Sequence, residues 1–131
     1  MEAMLYSPSQ HKQILLNWFE QWKIPPVAYD TLPDTGLMVA KDGVYLCALF
    51  LYHTNSTRCY IENLISNKEA SDEDRRAAIN LVFETMYEVV KAFGYKETLS
   101  YSRFPEVINR ARETMGCSVS EHVYHSIKRS I

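Results

Sequence analysis

Apolar residues recur along this chain with two periods, three-to-four and two, and each change of period marks an element. Leu15, Trp18, Phe19 and Trp22 have the one-face spacing of an amphipathic helix. Ser7-Pro8-Ser9 supplies a start for that helix, and Pro25-Pro26 a stop. The short apolar opening at residues 4–6 predicts an edge strand. Residues 27–35, with Pro33 and Asp34, predict a loop or an irregular turn of helix. Residues 36–40 and 44–53 then flank Lys41-Asp42-Gly43, and Asp-Gly favours the positive φ angles of a tight hairpin turn. A polar break, Thr54-Asn55-Ser56-Thr57, leads into residues 58–66 and completes a three-stranded meander.

The second half begins with Ser71-Asp72-Glu73-Asp74, a capping serine followed by carboxylates that complement the helix dipole. The stripe Ile79, Val82, Phe83, Met86, Val89, Val90 and Phe93 makes this the longest helix, and Gly94 ends it. Residues 97–102 predict another short strand. Phe104-Pro105 starts a third helix with Ile108, Ala111 and Met115 inward, and Gly116 stops it. Residues 117–127 predict a closing strand. The predicted order is β-α-β-β-β-α-β-α-β.

A length of 131 residues fits one domain over residues 1–131, and 47% apolar with 23% charged residues is the balance of a globular protein. A net charge of −2 without a basic stripe argues against a nucleic-acid binder that works by neutralising phosphates. No apolar run reaches the length of a membrane span, and residues 1–10 carry no secretory pattern, so a cytoplasmic protein is expected. Cys47, Cys59 and Cys117 match neither a zinc knuckle nor a redox pair. Cys47, within Tyr45-Leu46-Cys47-Ala48-Leu49-Phe50, reads as a small buried hydrophobe. His122 and His125 lie close in sequence but would point to opposite faces of a strand, so no metal site is expected.

This order, at this length, resembles the GNAT superfamily of acetyl-coenzyme A-dependent N-acyltransferases. Tyr60-Ile61-Glu62-Asn63-Leu64-Ile65 looks like the family's fourth strand, and residues 111–117, ending Met115-Gly116-Cys117, like the end of its last helix. Small divergent GNAT-like proteins of bacteriophages have a comparable look. The resemblance implies an α+β fold, an α/β sandwich with a central mixed, mostly antiparallel sheet and about three flanking helices.

The resemblance also implies site residues. Leu64 and Ile65 match the strand positions whose backbone holds the pantetheine arm of acetyl-CoA. With the loop four residues longer than usual, Arg75, Arg76, Ala77, Ala78, Ile79 and Asn80 match the pyrophosphate motif of an Arg followed by small residues. Glu62 is the candidate base. The family's proton-donating Tyr falls on Arg112, a poor donor, which leaves Tyr101 and Tyr124 as candidate acids. Each candidate also has an ordinary reading: Glu62 as a solvated strand residue, the two tyrosines as half-buried packing, residues 69–76 as a solvated helix start. Two functions follow, beside a third possibility, an unrelated α+β binding module. One is transfer of an acetyl group from acetyl-CoA to an amine or protein acceptor. The other is a catalytically inactive GNAT-like protein, such as a virion component or host-directed factor. A homodimer and an assembly with a protein partner are both left open, as are host cytoplasm and virion as locations.

Overall fold

Ser7 begins the first helix, two residues after the opening strand: its carbonyl accepts the amides of Gln10 and His11 at 3.1 and 2.9 Å. In the computed structural model, which describes all residues except 26–30, 103, 122–126, 128, 130 and 131, the elements run β1 (Glu2–Leu5), α1 (Pro8–Gln21), β2 (Gly36–Lys41), β3 (Val44–Tyr52), β4 (Arg58–Ser66), α2 (Asp72–Ala92), β5 (Glu97–Leu99) and α3 (Pro105–Thr114). The strands form one sheet in the order β1-β2-β3-β4-β5, antiparallel except for the β4–β5 pair. The expected α+β class, with a mixed and mostly antiparallel sheet and three helices, is the observed one.

The hairpin between β2 and β3 turns at Asp42 (φ +50°) and Gly43 (φ +79°), the two positive φ angles that Asp-Gly favours. Residues 46–51 of β3 are all buried, because helices cover both faces of the central strand. On one face Met38, Ala48, Phe50 and Ile65 pack with Leu15, Trp18 and Phe19 of α1 and with Tyr6 and Leu32. The alternate positions, among them Val39, Cys47, Leu49, Leu51 and Ile61, are buried on the other face, that of α2. The α2 stripe is Ala78, Val82, Phe83, Met86 and Val90. Phe93 was expected to belong to it but is 58% exposed, its ring set edge-on to His53.

Both long helices end in the same way. In α2, Gly94 (φ +87°) donates to Lys91 O and Tyr95 to Val90 O, the paired bonds of a Schellman motif. In α1, Lys23 (φ +53°) donates to Glu20 O and Ile24 to Phe19 O. The helix therefore stops at Gln21 through its own end bonds, ahead of Pro25-Pro26.

Residues 1–100 and 101–131 form two compact units. In the second, Pro105 opens α3, and Val107, Ile108, Ala111 and Met115 are half-buried rather than fully enclosed. The predicted strand at 117–127 is not formed at residues 117–121, where Ser118, Ser120 and Glu121 are exposed, and residues 122–126 lie outside the described residues. The opening strand begins at Glu2 rather than Met4, because Glu2 and Ala3 pair with Ala40 and Val39.

Candidate functional site

β4 is not a regular strand. Ile61 pairs with Leu51 and Glu62 with Phe50, but Ile65 pairs with Ala48, so Leu49 faces both Asn63 and Leu64. This is a β-bulge, and its extra residue Asn63 has a left-handed backbone at φ +59°. Asn occupies that region more readily than most non-glycine residues. Residues opposite one another share a face of the sheet. Glu62 and Ile65, three apart, therefore face the same side, which a regular strand forbids. That side is the α1 face, where Phe50, Ala48 and Ile65 are buried.

Among the described residues the other edge of β4 is paired only in part. β5 runs parallel to it as far as Leu99, opposite Tyr60. The Ser100 hydroxyl donates to Ile61 O at 2.7 Å, and among the described residues no strand flanks β4 on that edge from Asn63 to Ser66. A bulge on one side and a departing neighbour on the other leave the β4 edge at Leu64 and Ile65, two of the residues singled out in the sequence, without a partner strand among the described residues.

Side chains converge on this bulge. Asn63 Nδ2 donates to the Tyr52 hydroxyl oxygen across to β3. Burial and, secondarily, the negative charge of Glu62 push the Tyr52 phenol above its ordinary value, while the Asn63 bond acts in the opposite direction. Glu62 is half-buried. Tyr52 and Asn63 were missed by sequence reasoning. The only local signal was the polar pair Glu62-Asn63, which breaks the alternation of an otherwise regular strand.

The loop from β4 to α2 is tied down at each step. Trp22 Nε1 donates to Ser66 O at 2.7 Å, and the Lys68 amide to Gln21 Oε1 at 3.0 Å. The Asn67 amide donates to Leu46 O at 2.8 Å, and Asn67 Oδ1 accepts the Glu69 amide at 3.0 Å. Arg75 Nη1 donates to Lys68 O at 2.8 Å, and its other terminal nitrogen pairs with Asp72. Lys68 Nζ and the Arg75 guanidinium lie 5.1 and 5.5 Å from the Trp22 ring centre.

At the start of α2, Ser71 Oγ accepts the Asp74 amide at 3.1 Å, and Asp74 accepts a bond from Lys41 Nζ at 2.9 Å. That bond lowers the Asp74 carboxyl from its ordinary value and raises the Lys41 ammonium. The helix begins at Asp72, so the amides of Ala77, Ala78, Ile79 and Asn80 belong to its interior and donate to carbonyls four residues back. These are the residues that the longer-loop alignment matches to a pyrophosphate motif. Ala78 is fully buried against the sheet, Ile79 half-buried, and Ala77 and Asn80 exposed. The first-turn amides left by the Ser71 cap are those of Asp72 and Glu73. Arg75 is engaged with the loop, whereas Arg76 is exposed and makes no bond among the described residues.

Tyr101 is 59% exposed and belongs to the second unit with Arg112, which is exposed in the last turn of α3. Tyr124 lies outside the described residues, as do His122 and His125. Two open concavities lie away from the bulge. One, of about 400 Å³, is lined by Met4, Ala40, Gly43 and Tyr45; the other, of about 300 Å³, by Tyr87, Lys91, Tyr95 and Lys96. Cys47 and Cys59 are free and buried, and burial pushes the Cys47 thiol up to about 12, as suits an inert core residue. No helix among the described residues is long and apolar enough to cross a membrane.

No protein-family model and no curated protein matches the sequence. Solved structures do match. A putative acetyltransferase from Agrobacterium tumefaciens superposes with a TM-score of 0.69 at 11% identity, over 98% of this chain and 100% of that one. A ribosomal-protein-alanine N-acetyltransferase from Brucella melitensis gives 0.69 at 12% identity, over 98% of each chain. An aminoglycoside N-acetyltransferase in complex with CoA gives 0.63 at 13% identity, over 98% and 100%. The chain has the fold of these acetyltransferases, which is the GNAT fold.

Proposed function

We propose that this chain, acting as a single domain in the cytoplasm, transfers an acetyl group from acetyl-CoA to an amine. The observation that carries the reading is the bulge at Asn63, beside the point where β5 leaves β4, in a fold that acetyltransferases share over its whole length. The edge at Leu64 and Ile65, which no strand among the described residues pairs with, suits the amide groups of a pantetheine arm, which hydrogen-bond as an added strand would.

Glu62 takes a proton from the acceptor amine, directly or through one water, as the nitrogen bonds to the acyl carbon. As the carbon–sulfur bond breaks the thiolate takes a proton, and the resemblance to the family makes Tyr101 and Tyr124 the candidate donors for it. The products are an amide and a free thiol. At the diphosphate, Arg76 and the amides of Asp72 and Glu73 are the available donors, with Lys68 beside them.

A second reading has its own observation. Asp72, Glu73 and Asp74 crowd the helix start with negative charge, where a diphosphate needs positive. This favours a GNAT-shaped protein that works through contacts and binds no donor. Titration with acetyl-CoA separates the two. Ligand at 100 times its dissociation constant raises stability by about 2.7 kcal/mol. A thermal shift with saturable heat on titration supports the transferase, and a flat response at millimolar acetyl-CoA supports the contact protein.

A further inference from the structure

Asn63 keeps a left-handed backbone, φ +59°, in the middle of a strand whose neighbours on both sides are extended. Even for Asn this region is less populated than the extended one, so the bulge needs something to hold it. Relaxing Asn63 to an extended backbone would slip the pairing beyond it by one residue. That slip would turn Ile65, which is 5% exposed and opposite Ala48, away from the core.

The hold comes from β3. Tyr52 pairs with Tyr60, three residues before Asn63, and its hydroxyl nonetheless receives the Asn63 side-chain amide. The phenol thus reaches along the sheet past Glu62, the residue opposite Phe50, to the bulge itself. It is half-buried there, so the bond is partly shielded from competing water. On the acetyl-transfer reading, we propose that Tyr52 is a positioning residue: its hydroxyl latches the Asn63 side chain, keeps β4 bulged, and so holds the edge of Leu64 and Ile65 in the form that binds the acyl donor.

The test compares the parent with Tyr52→Phe, Asn63→Gly and the double variant, each checked for native circular dichroism. Acetyl-CoA binding is followed by calorimetry, and transfer by thiol release with a polyamine and a lysine-containing peptide as acceptors. Glycine reaches positive φ unaided, so Asn63→Gly makes a latch unnecessary. Tyr52→Phe should raise the Kd and KM for acetyl-CoA about threefold to tenfold, the span of one neutral hydrogen bond, with kcat and its pH profile close to the parent's. Asn63→Gly should bind the donor nearly as the parent does, and adding Tyr52→Phe to it should cost nothing further.

An equal loss from Tyr52→Phe in both backgrounds, an unchanged donor Kd, or a loss confined to kcat overturns the latch. A parent that binds no acetyl-CoA overturns the transferase reading and this role with it. The two failures are distinct, since the latch alone fails while donor binding in the parent is intact.

Discussion

Trp22 donates its indole N–H to the Ser66 carbonyl at 2.7 Å, so the residue that caps the end of α1 is fastened to the last residue of β4. The same ring carries Lys68 and Arg75 over it, and the loop leading to α2 is built on it. Trp22→Phe should keep the stacked cations and lose the bond, at a cost of about 0.5–1.5 kcal/mol in urea unfolding. Amide exchange at residues 67–70 should quicken more than exchange in β3. Unchanged exchange there would mean that Asn67 and Gln21 hold the loop without Trp22.

Gly36 is where β2 approaches its neighbours most closely. A Cβ at this position would lie 2.7 Å from Phe50 Cδ1 and 3.1 Å from Tyr6 Cβ. Phe50 is fully buried and Tyr6 meets it edge-on at 4.9 Å, so neither ring has room to withdraw. Gly36→Ala should destabilise by about 1–3 kcal/mol, the usual result of overpacking, despite a backbone that alanine tolerates. A parent-like melting temperature would show that the Phe50 ring turns aside.

His11 is 1% exposed, and both of its ring nitrogens are hydrogen-bonded. Its Nδ1 accepts the Ser7 amide at 2.9 Å, so the ring proton is on Nε2, which donates to the Tyr45 hydroxyl at 3.3 Å. Burial lowers its pKa below the ordinary 6.5, and the facing rings of Tyr6 and Tyr45 offer no negative charge to offset that. The unfolded chain therefore binds this proton more readily than the folded one. The stability His11 contributes is full above about 6.5, falls as pH drops towards the lower folded value, and is lost beneath it. Chemical denaturation from pH 8 to pH 5 should show this decline, and His11→Gln should flatten it while lowering stability at pH 8. An equal slope in both proteins would assign the decline to carboxylates.

The parts of the fold legible in the sequence are those fixed by local chemistry. Asp42-Gly43 specifies its hairpin because few other residues accept two positive φ angles in succession. Ser71 and Gly94 bracket α2 for comparable reasons, as cap acceptor and left-handed stop. The end of α1 was not legible, since Lys23 takes a left-handed stop without being a residue that favours it. Glu62, Leu64 and Ile65 lie on β4, the strand the sequence places them on, but the bulge that groups them depends on pairing with β3. Tyr52 is eleven residues from Asn63 along the chain, and only that pairing brings them together. The small-residue motif at residues 75–80 falls in a stretch that the Ser71 cap commits to helix, which the motif alone does not reveal.

The charge at the head of α2 gives the last prediction. Asp72 pairs with Arg75 and Asp74 with Lys41, so each carboxylate cancels a cation that a diphosphate could use. Asp72→Asn combined with Asp74→Asn removes two negative charges beside the helix start and releases both cations. If acetyl-CoA binds there, its affinity should rise, roughly threefold to tenfold at low salt, since helix-end charges act on that scale. The gain should shrink at 0.5 M salt, where screening shortens the reach of exposed charges. The same substitutions remove groups that complement the helix dipole, so the melting temperature of the ligand-free protein should fall as donor affinity rises. Tighter binding with lower stability is hard to obtain from a general improvement in folding, and it would locate the diphosphate at Asp72 and Glu73. Unchanged affinity at both salt concentrations would put the donor's phosphates elsewhere, and an unchanged melting temperature would mean that Ser71 alone caps the helix.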